Sequence, residues 1–501
     1  MWFSITTLGC KVNQYDGESL AATLESLGLR RAGAVGSARP RLDLVVVNTC
    51  CVTAVAMRKS RQALRRAVRR APGASVLVAG CYGDYDAARI RALLAEMGVP
   101  AEKLAVVGHH GDLAAWVEHF ARGRRRRPAP GRSAAGEEGP RTESGREDGW
   151  MNASCDARIT ASPTSIKTRR LAAVKAHMPG TDHLAPLRRF AARQRAFVKV
   201  QDGCDAFCTY CIVPYTRPRV RSRPVDDILD ECRRLAAAGH KEIVLCGVFL
   251  GAFGRETAVR RRWDDTPSRL PELLRRVCQI EGLWRVRLSS IEPGDVTEDL
   301  LAALAELPPA APHLHLPLQS GAPAVLRRMN RQYTADQFRQ TVDRVRDALD
   351  RPALTTDIIV GFPGESEDDF AETLALAETA GFAKIHAFPF SAVEGTAAWR
   401  RRREAAPPAV VKSRLTRLAA LETRLADRYR RRFVGEALEA LVEPPRAASP
   451  HRHAMTDRYL TVWFPAPSGA DGDGLTGRVV RLHIDEATRD GLSGRLLDPT
   501  E

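Results

Sequence analysis

Cysteine is the residue type that carries the most chemical information in this chain, which has 11 cysteines among 501 residues. Three of them, Cys204, Cys208 and Cys211, fall in the stretch CDAFCTYC. The spacing CxxxCxxC puts three thiolates on one tight loop, where they can ligate three irons of a [4Fe–4S] cluster. Most iron–sulfur sites have four protein ligands, so a set of three leaves one iron open to a small chelating molecule.

An open iron of this kind suits the amino and carboxylate groups of S-adenosylmethionine. Reduction of the cluster then cleaves the sulfonium to a 5′-deoxyadenosyl radical. A zinc site is the alternative, and it requires a fourth ligand close by. His177 and His183 are poor candidates for that ligand, because they lie in a segment that we predict to be disordered.

A second set of three cysteines is spread through the N-terminal part of the chain. Cys10 follows the first predicted strand, Cys50 ends the second and Cys81 ends the third. In a parallel sheet these positions share the carboxyl edge, where ligands bind, so we expect them to converge on a second cluster with an open iron. The alternative is that each is a small buried hydrophobic residue. The remaining cysteines are not expected to be ligands: Cys51, Cys155, Cys232, Cys246 and Cys278. Cys51 should point away from Cys50 if extended geometry continues through both.

Alternating strands and helices must position the N-terminal cysteines. Residues 1–120 indicate a small doubly wound α/β domain, because the apolar strands show no polar alternation and so fit a parallel sheet covered on both faces. Thr53 is the expected N-cap of the second helix. The predicted strands are 2–9, 43–49, 75–80 and 103–108, and the predicted helices are 16–28, 53–70 and 85–97.

The CxxxCxxC loop follows the first of six strand–helix units in residues 191–432, which predict a partial (β/α)6 barrel. The strands are expected at 196–203, 242–248, 285–291, 313–321, 355–362 and 384–391. Active sites of such barrels lie at the C-terminal ends of the strands, so residues there are candidate contacts for S-adenosylmethionine. These candidates are Tyr210, Gly247, Gln319, Ser320 and Gly361. The alternative roles are helix capping or turn formation for Gln319 and Ser320, and a simple turn at Gly361.

The rest of the chain divides into a linker and a small C-terminal domain. Residues 121–190 are rich in Gly, Pro, Ser and charge, so we predict a disordered linker that cannot bury enough surface to offset its ordering entropy. Residues 433–501 contain short predicted strands, at 436–443, 459–465, 477–484 and 491–497. They indicate a small antiparallel β-barrel, of a size that often binds RNA.

The net charge of +16 and the pI near 9.7 favour a polyanionic partner such as nucleic acid. Two basic stretches, 216–223 beside the cysteine loop and 57–70 in a predicted helix, fit either phosphate contacts or solvated surfaces. No apolar run is long enough to span a membrane. The start MWFSITTLGC lacks the pattern of a signal peptide, so we expect a cytoplasmic enzyme.

Ordered motifs along the chain closely resemble those of the radical-SAM methylthiotransferases: TLGCKVNQYD, VVVNTCCVT, AGCY, QDGCDAFCTYCIVPYTRPRVRSR, RLSSIEP, LHLPLQSG, RMNRQYT and TDIIVGFPGE. GCKVNQ, NTCCVT and SSIEP look most like the MtaB-type enzymes, which act on N6-threonylcarbamoyladenosine at position 37 of tRNA. The resemblance implies an N-terminal methylthiotransferase domain, a radical-SAM barrel and a C-terminal RNA-binding TRAM domain.

The resemblance also implies two [4Fe–4S] clusters, an auxiliary one on Cys10, Cys50 and Cys81 and a radical-SAM one on Cys204, Cys208 and Cys211. In the family's chemistry, one S-adenosylmethionine methylates a sulfur on the auxiliary cluster. A second yields the radical that removes hydrogen from carbon 2 of the adenine, where the methylthio group is then attached. The substrate would be the tRNA anticodon stem-loop, with an unidentified electron donor and sulfur source, and we expect a monomer.

Two related classes of methylthiotransferase carry out the same chemistry on other substrates. A RimO-like enzyme would modify an aspartate of a ribosomal protein, but its first motif typically reads GCPKN. A MiaB-like enzyme would modify isopentenyladenosine in tRNA, but usually shows NTCSIRE. A non-catalytic RNA-binding iron–sulfur protein would have no need of an open iron.

The chain departs from the family at one position that matters for the site. Phe249, in GVFLG, stands where Asn is usual.

Overall fold

The protein is described here by a computed structural model that covers residues 1–33, 40–108, 113–125, 184–190, 194–263, 267–445, 451–465 and 472–497. These residues form an N-terminal parallel sheet, a partial barrel of parallel strands and a closed C-terminal barrel. None of the described helices combines the length and the apolar character that a bilayer crossing requires.

The strands, in chain order, are β1 (Trp2–Thr7), β2 (Arg30–Arg31), β3 (Leu44–Thr49), β4 (Ser75–Gly80), β5 (Leu104–Val106), β6 (Arg195–Asp202), β7 (Arg221–Ser222), β8 (Glu242–Gly247), β9 (Arg285–Leu288), β10 (His313–His315), β11 (Ala353–Val360), β12 (Lys384–Pro389), β13 (Ala437–Val442), β14 (His451–Thr456), β15 (Thr461–Pro465), β16 (Val479–Thr488) and β17 (Gly491–Leu496). The helices are α1 (Lys11–Ser26), α2 (Ala54–Arg70), α3 (Cys81–Tyr85), α4 (Ala87–Glu96), α5 (Leu113–Arg125), α6 (Val213–Thr216), α7 (Val225–Ala237), α8 (Leu270–Cys278), α9 (Glu298–Glu306), α10 (Pro323–Arg328), α11 (Ala335–Ala348), α12 (Glu367–Ala380), α13 (Ala397–Arg400) and α14 (Pro408–Arg431).

The N-terminal sheet has the order β2-β1-β3-β4-β5, with all neighbours parallel. Every residue of β3 and β4 is buried, as expected for strands covered on both faces. The chain passes from β1 to β2 on one side and to β3 on the other, which creates a crevice at the carboxyl ends of β1 and β3. The predicted doubly wound fold is confirmed, and so is the N-cap of α2, where Thr53 Oγ1 accepts from the Ala56 N–H at 3.0 Å.

The partial barrel has six parallel strands, β6 and β8 to β12, as the sequence predicts. Backbone bonding divides it into the sheets β7-β6-β8-β9 and β10-β11-β12. Isolated bridges, Val286 to Ala310 and Ser290 to His315, continue the strand order from β9 to β10. The added strand β7 pairs antiparallel with the end of β6 at one edge of the barrel.

The prediction of a disordered linker over 121–190 is wrong for residues 121–125, which end helix α5, and for residues 184–190, while 126–183 lie outside the described residues. Leu184, Leu187 and Phe190 are all buried, so apolar side chains three residues apart hold this segment against the body of the protein. The backbone is fixed as well, because the Leu187 N–H donates to Glu231 Oε1 at 2.6 Å.

The C-terminal barrel is closed in the order β13-β14-β15-β17-β16. Its pairs are antiparallel except β15 with β17, which is parallel, so the predicted all-antiparallel arrangement is wrong at that one pair. The sequence prediction missed β14, because HRHAMT lacks the alternation of apolar and polar residues that marks a half-buried strand.

This small barrel contacts the N-terminal ends of the strands of the partial barrel. Arg287 Nη1 donates to the Asp457 carbonyl at 2.7 Å, and its guanidinium lies 3.6 Å from the Tyr459 ring centroid. Glu242, which is fully buried at the start of β8, pairs with Arg285 and Arg287 at 3.1 and 3.0 Å. The C-terminal barrel therefore lies at the end of the partial barrel opposite the cysteine loop.

Candidate active site

The N-terminal cysteines lie at the carboxyl ends of three neighbouring strands: Cys10 after β1, Cys50 after β3 and Cys81 after β4. Gly9 has a φ of +104°, and a Cβ there would lie 3.1 Å from Cys50 Sγ. Gly80, with a φ of +89°, similarly lies against the Thr49 carbonyl, 2.4 Å from where its Cβ would be. The loops can approach this closely only because these residues have no side chain.

Side chains from two helices hold the Cys50 loop. The Asn13 side-chain amide of α1 donates to the Thr49 carbonyl at 3.2 Å, and Asn48 Nδ2 donates to the Asn13 carbonyl at 2.7 Å. Ser60 of α2 donates to the Cys50 carbonyl at 3.0 Å and accepts from the Cys50 N–H at 3.1 Å. Both helices next to this cysteine site therefore fix its position directly.

The CxxxCxxC loop is fixed at the carboxyl end of β6. The Cys204 N–H donates to the Arg217 carbonyl at 3.0 Å, and the Cys211 N–H donates to the Cys208 carbonyl at 2.9 Å. Asn330 Nδ2 donates to the carbonyls of Ala206 and Phe207 at 3.3 and 3.2 Å. Backbone hydrogen bonds within this segment and the side chain of Asn330 thus define the shape of the loop.

Arg331 places a buried positive charge against this loop. Its Nη1 atom donates to Cys208 Sγ at 3.2 Å and to the Tyr210 hydroxyl at 3.1 Å, while Nη2 pairs with Glu292. Burial alone would lower the pKa of Arg331, but Glu292 together with Tyr210, Tyr333 and Cys208 outweighs it and holds that pKa well above its ordinary value. Sequence reasoning gave Arg331 and Glu292 no role, although both stand in motifs, RMNRQYT and SSIEP, that carried the family resemblance.

Burial makes these thiols hard to ionise without a metal. It raises the pKa of Cys50 to about 12 and that of Cys211 to about 12, with Cys208 raising the latter further. Cys81 also raises the pKa of Cys211, although the two belong to different sets. The two sets therefore share one electrostatic region, and their thiolates need positive charge from bound iron.

A buried network of four charges connects the two sets. Lys199 Nζ lies 2.6 Å from Asp16 Oδ1 and 3.1 Å from Asp202 Oδ2, and Arg217 lies 2.6 Å from Asp16 Oδ2 and 2.7 Å from Asp202 Oδ1. Burial lowers the pKa of Lys199, but the two carboxylates outweigh it and leave that pKa raised.

The network spans the boundary between the domains. Asp16 lies on the helix that follows Cys10, while Asp202 lies two residues before Cys204. One feature of the sequence indicates this network, namely Lys199 in the middle of a buried strand, because a buried lysine is rarely left without a partner.

The donor set fits iron–sulfur clusters. Among the described residues, no group of three or more His, Cys, Asp or Glu side chains is arranged to hold a single metal ion. The cysteines of a four-iron cluster bind different irons, so they need not meet at one point. Two groups of three thiols at strand ends meet that requirement: Cys10 is exposed, and the other five are buried or half-buried.

Among the predicted S-adenosylmethionine contacts, Tyr210 lies in the cysteine loop, Gly247 ends β8 and Gln319 forms an isolated bridge with Ile358 of β11. Tyr210 is half-buried and accepts from Arg331, and Gly247 lies beside the Gln201 side chain. Gln319 has a φ of +61°, and its backbone N–H donates to the Asp357 carbonyl at 2.8 Å. Their contacts with the cofactor stay predictions.

The other two predicted contacts have defined structural partners. Ser320 is fully buried, and its Oγ accepts from the Ala322 N–H at 3.2 Å. The close approach that Gly361 permits is to Val411, whose Cγ2 lies 2.6 Å from where a Cβ would be. Both positions stay predictions as cofactor contacts, and both serve turns.

Phe249, at the position where Asn is usual, is accommodated in an apolar pocket. Its ring packs with Ala206, Ala252 and Ala258, and Cys204 lies against the same cluster of side chains. Its backbone N–H donates to Gln201 Oε1 at 2.8 Å. The substitution therefore replaces a polar side chain by an apolar one directly behind the cysteine loop.

Two of the four arginines of 216–223 do not contribute to the open basic surface considered from the sequence. Arg217 belongs to the buried network, and Arg223 pairs with the fully buried Glu231 at 2.6 Å. These two arginines are structural because buried carboxylates demand a counterion.

The cysteines that were not predicted as ligands have other surroundings. Cys51 donates its thiol to the Cys81 carbonyl at 3.4 Å, whereas Cys50 faces Gly9. Cys232, Cys246 and Cys278 are buried in the barrel core, and Cys155 lies outside the described residues.

Comparison with known proteins covers almost the whole chain. The Radical SAM superfamily profile matches residues 198–377, and the profile described as Uncharacterized protein family UPF0004 matches residues 2–99. The chain is 32% identical over 498 residues to the threonylcarbamoyladenosine tRNA methylthiotransferase MtaB of Chlamydia pneumoniae. The aligned region covers 99% of this chain and 98% of that protein. It is 34% identical over 498 residues to the tRNA-2-methylthio-N(6)-dimethylallyladenosine synthase of Novosphingobium aromaticivorans, with 99% and 97% covered. A solved structure of the radical S-adenosylmethionine methyltransferase TsrM from Kitasatospora setae matches with a TM-score of 0.49 and 15% identity, covering 79% of this chain and 73% of that one.

Proposed function

Because the chain belongs to the family of radical-SAM tRNA methylthiotransferases, we propose that it converts N6-threonylcarbamoyladenosine at position 37 of tRNA to its 2-methylthio derivative. It is an enzyme that transfers a methylthio group, and its cofactors are S-adenosylmethionine and [4Fe–4S] clusters. The choice of substrate is supported by the motifs GCKVNQ, NTCCVT and SSIEP. Sequence identity does not favour either tRNA substrate. The chain is 32% identical to a relative named for threonylcarbamoyladenosine and 34% identical to one named for dimethylallyladenosine.

We propose Cys10, Cys50 and Cys81 as ligands of the auxiliary cluster and Cys204, Cys208 and Cys211 as ligands of the radical-SAM cluster. The chemistry supplied there is reductive cleavage of the sulfonium of S-adenosylmethionine to a 5′-deoxyadenosyl radical. The protein has to hold two sites at a fixed separation and keep water from the radical.

Three features of the chain support these tasks. Arg331 donates to Cys208 Sγ and so offsets negative charge on the sulfur. The Asp16–Lys199–Asp202–Arg217 network joins the helix that follows Cys10 to the strand that leads into Cys204. Buried apolar side chains around Phe249 close the space behind the loop.

The division of labour along the chain is also part of the proposal. Residues 1–120 would carry the auxiliary cluster, 191–432 the radical chemistry and 433–501 an RNA-binding function. The tRNA is the substrate, and the electron donor and the sulfur source are unidentified. We propose that the protein acts as a monomer.

Mass spectrometry of nucleosides from tRNA of cells with and without the gene tests the proposed substrate. Loss of 2-methylthio-N6-threonylcarbamoyladenosine, with accumulation of its unthiolated precursor, is the expected result. Loss of the methylthio derivative of isopentenyladenosine would instead assign the MiaB-like substrate. If every methylthio-adenosine is unchanged, the tRNA substrate is wrong and ribosomal proteins become the next target.

A further inference from the structure

Helix α2 carries seven basic residues and no acidic residue. One of them, Arg61, donates to the Tyr82 hydroxyl at 3.0 Å. The other six are exposed and form no ion pair or side-chain hydrogen bond with the described part of the chain: Arg58, Lys59, Arg65, Arg66, Arg69 and Arg70. Some exposed arginines elsewhere have carboxylate partners, such as Arg417 with Glu367 and Arg431 with Asp427, whereas α2 itself offers no carboxylate.

The six free cations form one continuous strip. At 3.6 residues per turn they fall within an arc of about 140°, and Arg58 to Arg70 spans about 18 Å along the axis. Ser60 and Leu64, on the opposite side of the helix, are buried. We call these six exposed residues the α2 strip.

Helix stability does not account for the α2 strip. Arg69 and Arg70 lie in the last turn, where positive charge is favourable, but Arg58 and Lys59 lie towards the positive end of the helix dipole. Arginines four residues apart on the helix, such as Arg65 with Arg69 and Arg66 with Arg70, repel each other. Because these charges destabilise their own helix, their presence fits a surface that binds an anion.

The α2 strip is mechanically tied to the cysteine site. Ser60, on the inner face of α2, bonds both the N–H and the carbonyl of Cys50. The start of the helix reaches the radical-SAM barrel, where the Ala54 N–H donates to Ser391 Oγ at 2.9 Å. Val52 and Val55, at the same end, are 40% and 48% exposed. The α2 strip therefore begins at the edge of the candidate active site and leads away from it.

We infer that the α2 strip binds the phosphate backbone of the substrate tRNA along the strand that leads to the modified base. This inference rests on the proposed function. Arginine suits the role because its planar fork matches phosphate oxygens and stays charged at every physiological pH. Contact at the helix that holds Cys50 would set the position of the RNA relative to the N-terminal cysteine site.

The test compares two triple variants of the full-length, cluster-loaded protein. The first removes three charges of the α2 strip: Arg58→Gln, Arg65→Gln and Arg69→Gln. The second removes three exposed but ion-paired charges of α14: Arg417→Gln, Arg424→Gln and Arg431→Gln. Both lower the net charge by the same amount, so they separate a local effect from a general one. Binding of a tRNA that carries N6-threonylcarbamoyladenosine at position 37 is measured by fluorescence anisotropy over a series of salt concentrations.

The α2 variant should bind about tenfold or more weakly at low salt and lower the slope of log K against log salt by about 2–3, since each lost phosphate contact removes roughly 0.7–0.9. The α14 variant should bind like wild type within about threefold. Replacing the same three α2 arginines by lysine should restore most of the binding, because the charge is retained. Circular dichroism shows whether each variant is folded.

Equal weakening by both glutamine variants would overturn the inference, because overall charge would then govern binding. Wild-type binding by the α2 variant would overturn it as well. In either case the proposed function stands if wild-type protein binds and modifies the tRNA. If wild-type protein binds no tRNA, the proposed function fails together with the inference.

Discussion

Replacing Asp16 by asparagine should uncouple the two cysteine sites. Asp16 lies 2.6 Å from both Lys199 and Arg217, and its side chain is 5% exposed. The substitution keeps the size and shape of the side chain but removes its charge. Two buried cations would then share one carboxylate, Asp202, and a net positive charge would be left in the interior.

The expected cost follows from the burial of the network. Removing one partner of a buried ion pair destabilises proteins by about 3–5 kcal/mol, because the remaining charge is uncompensated. At about 2–4 °C per kcal/mol for a folding unit of roughly 150–250 residues, the midpoint of thermal unfolding should fall by on the order of 10 °C. The matched control, Asp230→Asn, breaks an exposed pair with Arg233 and should cost less than about 1 kcal/mol.

Thermal unfolding followed by circular dichroism measures the first effect. The functional effect is measured by two rates, reductive cleavage of S-adenosylmethionine without tRNA and complete methylthio transfer to tRNA. Cleavage needs only the Cys204 site, whereas transfer needs both sites in register, so transfer should fall by a larger factor. The reasoning is refuted if Asp16→Asn unfolds at the same temperature as Asp230→Asn, or if both rates fall in equal proportion.

Other expected outcomes concern cofactor loading, cluster chemistry and pH. The reconstituted protein should contain about eight irons, and Cys50→Ser should leave about four while preserving cleavage of S-adenosylmethionine; an iron content unchanged by the substitution would contradict the ligand assignment. Arg331→Gln should shift the reduction potential of the radical-SAM cluster downwards, on the order of 50 mV by redox titration, because a positive charge beside Cys208 is lost; Arg331→Lys should shift it less, and equal shifts would contradict a charge effect. Burial holds the pKa of His313 well below its ordinary value, so the unfolded chain takes up a proton below about pH 6.5 and the folded chain does not. This histidine should therefore leave the free energy of unfolding unaffected above pH 6.5, and should lower it by up to about 1.4 kcal/mol for each pH unit below 6.5. Denaturant titrations should show a flatter pH dependence for His313→Gln than for wild type. A variant of the exposed His451 should keep the pH dependence of wild type.

The sequence by itself determined the local elements and the positions of the candidate ligands. The strands that precede Cys10, Cys50, Cys81 and Cys204 could be predicted because buried parallel strands are short, nearly continuous apolar runs. The convergence of the first three cysteines followed from a general rule of parallel sheets, which requires only that the strands be neighbours. The Thr53 cap and the six barrel strands were also predictable, since capping and periodicity act over a few residues.

Tertiary structure decided which charged residues meet. Asp16 is separated from Lys199 by 183 positions and from Arg217 by 201, and no local pattern relates them. Arg217 shows the consequence, because in the sequence it belongs to an exposed-looking basic loop and in the fold it neutralises two buried carboxylates.

The same reason explains the other differences. Residues 184–190 were assigned to the linker on the average composition of 121–190, but they contain apolar side chains, and Leu187 packs in the barrel core. The position of the C-terminal barrel depends on Arg285 and Arg287, whose counterion Glu242 lies on a different strand. Backbone preferences and apolar periodicity are local properties of a sequence, whereas charge pairing across domains depends on distances that only the folded chain sets.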